Sequence, residues 1–147
     1  IVISSNSGHP LDLNLYQAVK GMSAAAQIVR PGGVIILAAS CWDGIPDHGE
    51  YRRLLWEADS VEALLERMMS PGFRCRDQWQ AQIQAQIQTK AHVHVRADGL
   101  SDEELRNALV IPCRSIEDTV DELRNQNPGA TIAVLPDGPQ TVPYLAS

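Results

Sequence analysis

The sequence predicts an α/β fold: a three-layer sandwich in which a mainly parallel sheet of four to five strands is flanked by helices in a Rossmann-like arrangement. Two observations carry this. Short runs rich in Val and Ile at residues 1–3, 34–39, 91–95 and 131–135, with a fifth candidate at 109–112, alternate with segments of helical periodicity, the mark of βαβ units. The 147 residues, 44% hydrophobic and 20% charged, suffice for one globular domain with a real core and fit neither disorder nor a coiled coil.

Each element has a local reason. After the first strand, residues 10–30 carry Leu11, Leu15, Val19, Met22, Ala26 and Val29 at spacings of three and four, an amphipathic helix that stops at Pro31-Gly32-Gly33. The second strand leads into a polar, glycine-bearing loop at 40–48. A helical region follows over 50–69, with a break expected near Asp59-Ser60 and an end at Pro71-Gly72. Residues 77–90 alternate glutamine in a way that mimics a strand. They are read as a helix with Trp79, Ile83, Ala85 or Gln86, and Ile87 on one face, because glutamine favours helices and β-branched residues are few. Ser101 and Ser115 each precede acidic residues and predict two more helix starts, the second helix ending near Asn127-Pro128-Gly129. The tail at 135–144 holds too many prolines for regular structure and is expected to cross the end of the sheet.

Composition narrows the function. A formal net charge of −6 repels a phosphate backbone, so no nucleic-acid partner is expected. No apolar run approaches the roughly 20 residues that cross a bilayer, and the N-terminal residues lack the basic region and cleavage site of a signal peptide. Cys41, Cys75 and Cys113 are odd in number and form no CxxC pair, which argues against a disulfide framework or a zinc site. A cytoplasmic protein without a membrane partner is the expectation. A strand at Ile1-Val2-Ile3 with no initiator methionine further suggests a fragment of a longer protein, cut at a domain boundary.

In a doubly wound sheet, ligands bind beyond the carboxyl ends of the strands, so residues 4–10, 40–48, the loop after Val95 and the tail after Leu135 should gather at one rim. Within the first helix, Tyr16 and Lys20 are four apart and Gln17 and Lys20 three apart, one polar patch near that rim. Spacing alone allows a solvated face. It equally allows a small-carboxylate site, with the lysine as charge and the tyrosine and glutamine as directed hydrogen-bond groups.

The run Gly8-His-Pro-Leu-Asp-Leu-Asn-Leu-Tyr-Gln-Ala-Val-Lys-Gly21 resembles the signature that opens the C-terminal domain of the nickel-dependent lactate racemase family. The segments at 30–41, 77–80 and 135–144 are similar to that domain in order and spacing, so the resemblance covers nearly the whole chain. It implies two α/β domains around a nickel-pincer nucleotide and interconversion of 2-hydroxy-acid stereoisomers by hydride abstraction and return. It also implies that the chain, 1–147, is one domain whose partner is its own N-terminal domain, and that the fragment alone is inactive and holds no cofactor. By the same resemblance, Tyr16, Gln17 and Lys20 line the substrate side of the cleft, Lys20 and Gln17 act on the reacting acid, and Trp79 stands beside the cofactor. The pincer-bearing lysine, the nickel-ligating histidine and two acid/base histidines belong to the other domain, so no metal ligand is expected here.

Several other residues invite attention. His9 stands where the family often has another aromatic residue, and a turn role and a contact with the site are both open. His48 reads as a solvated rim residue, Trp42 and Trp56 as packing residues, and Cys41 as a thiol near the rim without a base to activate it. His92 and His94 share one face of a strand, but no third ligand has a clear spacing. Two alternatives compete: a class I methyltransferase-like domain, suggested by residues 29–37 but lacking a glycine-rich turn after the first strand, and a non-catalytic Rossmann-like binding domain.

Overall fold

In the computed structural model, which describes residues 1–145, five strands form one all-parallel sheet. The strands are β1 (Val2–Ser5), β2 (Gly33–Ala38), β3 (Ala91–Arg96), β4 (Ile111–Pro112) and β5 (Ala133–Leu135), in the spatial order β4-β3-β2-β1-β5. The helices are α1 (Leu15–Ile28), α2 (Tyr51–Trp56), α3 (Val61–Met69), α4 (Gln78–Lys90), α5 (Asp102–Asn107) and α6 (Ile116–Gln126). The chain moves steadily from β1 to β4 and then returns to the far side of β1. Right-handed crossovers therefore place the earlier helices on one face and α6 on the other.

Register divides the sheet into those two faces. Val2, Ile35 and Val93 are aligned across three strands and are no more than 3% exposed, making one side of the core. Against them α1 packs Leu15, Ala18, Val19, Met22 and Ala25. The neighbouring row, Ile3, Ile36, His94 and Val134, faces the opposite way. Here α6 brings Glu122 beside His94 and shares a groove with Val34 and His92 through Leu123, but it buries none of its own residues.

Helix starts follow side-chain caps. Ser60, Ser101 and Ser115 each accept a backbone N–H in the first turn, and Ser101 completes a capping box with Glu104. The expected break at Asp59-Ser60 is the cap that separates α2 from α3. The first helix is shorter than the pattern predicts: it begins at Leu15, because Asn14 caps it by accepting from Gln17 N at 3.1 Å, while residues 10–14 form a turn with Leu11 and Asp12 donating to the Gly8 carbonyl. The proline-rich tail likewise departs from expectation by holding a short 3-10 turn at Gly138–Gln140.

The glutamines of α4 obey a helical rule. Gln80, Gln84 and Gln88 are four apart on one ridge and donate respectively to the carbonyls of Tyr16, Ala108 and Leu109. Gln80 and Gln84 are fully buried polar residues whose hydrogen bonds offset their desolvation. Of the face expected from the sequence, Ala85 and Ile87 are buried and Ile83 packs against the core, whereas Trp79 is 53% exposed; Gln80 and Gln84 are buried beside them.

Candidate functional site

The carboxyl ends of the strands carry the expected rim, and hydrogen bonds tie its loops together. Ser40 N donates to Asp12 Oδ2 at 3.0 Å, Cys41 N to the Asp12 carbonyl at 2.9 Å, and Asp98 N and Gly99 N to the Ser40 carbonyl. Asn6 pairs with Asp137 across an antiparallel bridge, which brings the tail onto the same edge. The tail comes close because two glycines allow it. A Cβ on Gly138 would sit 2.3 Å from Ser4 Oγ and 3.2 Å from Gly21 Cα, and one on Gly21 would sit 2.7 Å from Leu37 Cδ1 and 2.8 Å from the Ser5 carbonyl.

Tyr16, Gln17 and Lys20 leave α1 where it faces this rim. Lys20 Nζ donates to Gln17 Oε1 at 2.6 Å, so the carbonyl end of the amide is engaged and its NH2 group and the other ammonium protons remain as donors for an anion. Tyr16 meets the Trp79 ring edge-on at 5.9 Å between centroids and the buried Tyr51 ring at 5.2 Å. Burial, followed by the neighbouring Asp77 carboxylate, pushes the Tyr16 hydroxyl above the ordinary tyrosine range, which keeps it a neutral donor. Lys20 and Trp79 both line an open groove of ≈ 450 Å³ between α1, α4 and residues 138–143, floored by Val19, Ala24 and Ile83. The four residues singled out in the sequence thus stand together.

Others stand apart. Cys41 is buried beneath the rim, where desolvation and the Asp12 carboxylate push its thiol up to about 12, leaving it unsuited to act as a nucleophile. His48 is exposed. His9 is an exposed turn residue whose ring lies 6.3 Å from that of Trp42. The packing roles expected of Trp42 and Trp56 do not hold: they are 61% and 38% exposed, the first beside His9 and the second beneath the Arg52 guanidinium at 4.1 Å. Residue type alone does not reveal this exposure. His92 and His94 lie on the α6 face of the sheet, and among the described residues no three His, Cys, Asp or Glu side chains come together as a metal site.

The sequence reading passed over three supporting residues. Tyr51 backs the Tyr16 ring and gives its hydroxyl hydrogen to Gln84. Gln80 donates to the Tyr16 carbonyl at 2.5 Å. Asn6, wholly buried, accepts from Gly21 N at 2.9 Å and donates to the Gln17 carbonyl at 3.2 Å and to the Leu11 carbonyl. The available signal was a four-residue glutamine repeat and a polar residue at the end of an apolar strand.

Comparison with known proteins agrees with this architecture. The profile of the family described as lactate racemase C-terminal domain matches residues 1–142. The lactate racemase of Thermoanaerobacterium thermosaccharolyticum is 36% identical over 143 residues, and that of Lactiplantibacillus plantarum 35% identical over 140. Each alignment covers 94% of this chain and 33% of the relative, so the chain spans about a third of the length of the relatives it matches. The solved structure of the lactate racemase apoprotein from T. thermosaccharolyticum superposes with a TM-score of 0.83 at 34% identity, over 93% of this chain and 33% of that one. With the profile matched over residues 1–142, relatives at 35–36% identity covering 94% of the chain, and no counterpart of the glycine-rich turn that a methyltransferase would need, the chain belongs to the lactate racemase C-terminal domain family.

Proposed function

We propose that this chain is the substrate-side, C-terminal domain of a two-domain, cytoplasmic racemase of lactate-type 2-hydroxy acids that depends on a nickel-pincer nucleotide. The observation that carries the reading is the convergence of Lys20, Gln17 and Tyr16 with Trp79 on one rim of the sheet. A small 2-hydroxy acid presents a carboxylate and a neighbouring hydroxyl. The Lys20 ammonium pairs with its carboxylate or carbinol oxygen, and the Gln17 amide and Tyr16 hydroxyl supply directed hydrogen bonds. As the carbinol becomes a carbonyl, charge shifts on that oxygen, and donors fixed in advance stabilise the change without reorganising.

The residues here fit a place beside the cofactor and not around its metal. Trp79 offers a half-exposed indole at the rim, steadied by Tyr16, against which a planar heterocycle can rest. When bound, the nickel-pincer nucleotide supplies an acceptor for the hydride of the carbinol carbon. The metal ligands, the pincer-bearing lysine and the acid/base histidines belong, on this reading, to the N-terminal domain, and neither nucleic acid nor a membrane is a partner.

The test uses the full-length, cofactor-loaded protein. Lys20→Ala is expected to lower kcat/KM for 2-hydroxy-acid racemisation about 100-fold, in the range of a lost transition-state donor. Gln17→Ala should cost about 10-fold, as for one hydrogen bond to a charged group. Wild-type activity in both variants would sink the site assignment. Tight stoichiometric nickel binding by this chain alone would contradict the two-domain reading.

A further inference from the structure

We infer that Asn6 is the positioning residue of the Gln17–Lys20 pair, holding one turn of α1 against the carboxyl end of β1. The inference rests on the site reading proposed above. In a regular helix the carbonyl of residue 17 and the amide of residue 21 are partners of the same i, i+4 bond. The Asn6 side chain spans that pair: its Nδ2 donates to the Gln17 carbonyl at 3.2 Å and its Oδ1 accepts from Gly21 N at 2.9 Å. It mimics a peptide group laid along the helix ladder.

Two further contacts make this a clamp. The same Nδ2 donates to the Leu11 carbonyl, so one amide holds both the turn before α1 and the helix itself. Two residues earlier, Ser4 Oγ donates to the Gly21 carbonyl at 3.1 Å. Asn6 is in turn fixed to the sheet, since its own backbone N donates to Ala38 O at 3.1 Å and it pairs with Asp137. Four groups of the turn 17–21 and its approach are thereby referenced to the sheet, and the side chains of Gln17 and Lys20 radiate from that turn.

The geometry explains why such a clamp matters to chemistry. Side-chain tips of a helix lie about 5–6 Å from its axis, so a rotation of α1 by about 10° displaces them by roughly 1 Å. A misplacement of that size costs an enzyme up to about 100-fold. No group of Asn6 needs to touch substrate. It acts through the helix turn that carries the two residues that do.

The decisive experiment is a double-mutant cycle in the full-length, cofactor-loaded protein. Asn6→Asp keeps the size and the acceptor for Gly21 but turns the Nδ2 donor into an oxygen facing two carbonyls. We expect kcat/KM to fall about 10- to 100-fold, mainly in kcat; because the buried carboxylate oxygen faces two carbonyls the melting temperature falls too, so activity is read well below it, on protein shown to be folded by circular dichroism. On a Gln17→Ala or Lys20→Ala background the same change should cost less than about 3-fold, because the groups it positions are gone. The dissociation constant for a 2-oxo acid should follow the same non-additive pattern, which reads the cycle even where catalysis is too slow. Should Asn6→Asp not fold, Asn6→Ser carries the same cycle.

An equal loss on both backgrounds would show a merely structural residue and overturn the inference. So would wild-type activity of Asn6→Asp beside impaired Lys20→Ala. Wild-type activity of Lys20→Ala and Gln17→Ala would instead remove the site reading itself, and this role with it.

Discussion

Gly21→Ala should destabilise this protein, although a helix-interior glycine replaced by alanine ordinarily gains about 1 kcal/mol. Gly21 lies in the middle of α1, and a regular helix places no demand for glycine there. The demand comes from the neighbours. An added Cβ would stand 2.7 Å from Leu37 Cδ1, 2.8 Å from the Ser5 carbonyl and 2.9 Å from Asn6 Oδ1. Leu37 is fully buried in β2, Ser5 O is backbone, and Asn6 is held by its own hydrogen bonds, so none can yield cheaply. Forcing a methyl into a filled site costs about 1–3 kcal/mol. Stretching the Gly21–Asn6 hydrogen bond adds about 1 kcal/mol. Set against the propensity gain, the variant should be about 1–3 kcal/mol less stable. For a domain of this length that lowers the melting temperature by roughly 3–10 °C. Urea unfolding followed by circular dichroism measures it directly, with the slope unchanged and the midpoint lowered. The same shift moves α1 off β1, so on the function proposed above racemisation by the full-length protein should fall as well. A variant as stable as wild type, or more so, would refute the close-approach argument and with it the picture of α1 pressed onto the strand end.

Two other outcomes follow from buried polar groups. Gln84→Leu leaves the buried Tyr51 hydroxyl and the Ala108 carbonyl without their partner, and should cost about 1–3 kcal/mol in urea unfolding; adding Tyr51→Phe should recover part of that loss, whereas a neutral single variant would contradict the network. His94 has its pKa held below the ordinary histidine value by burial first and by His92 second, with Glu122 opposing, so the unfolded chain binds its proton at higher pH than the folded one. Stability should therefore fall as pH drops from above the ordinary value of about 6.5 toward the lowered folded value, and His94→Gln should flatten the stability curve across that window; an unchanged slope would show that His94 is not its source.

Much of the fold was legible because its signals are local. Val- and Ile-rich runs located four strands and the short fifth, and serines before acidic residues marked the starts of α5 and α6. The polar patch of Tyr16, Gln17 and Lys20 could be placed on one helix face from a spacing of three and four. Local signals failed where a distant partner decides. One local signal was itself overrun by another, since Asn14, not Pro10, starts α1 by accepting from Gln17 N three residues on, inside the apolar stripe. Trp42 and Trp56 look like core residues by type, yet they stay 61% and 38% exposed, met only by His9 and the Arg52 guanidinium. The glutamines of α4 showed only a strand-like alternation within a helix, yet Gln80 finds the Tyr16 carbonyl 64 residues away.

The sequence by itself thus determined the alternation of strands and helices, the serine caps of α5 and α6, and the set of residues that share the rim-facing side of α1, since each depends on propensity, periodicity or a side chain within four residues. Only the tertiary structure decided that Trp79 meets Tyr16, that Asn6 bridges Gln17 and Gly21, and that Gly21 and Gly138 bring α1 and the tail onto Ser4. These are contacts between segments far apart in the chain, where packing and hydrogen-bond satisfaction, not local preference, select the partner.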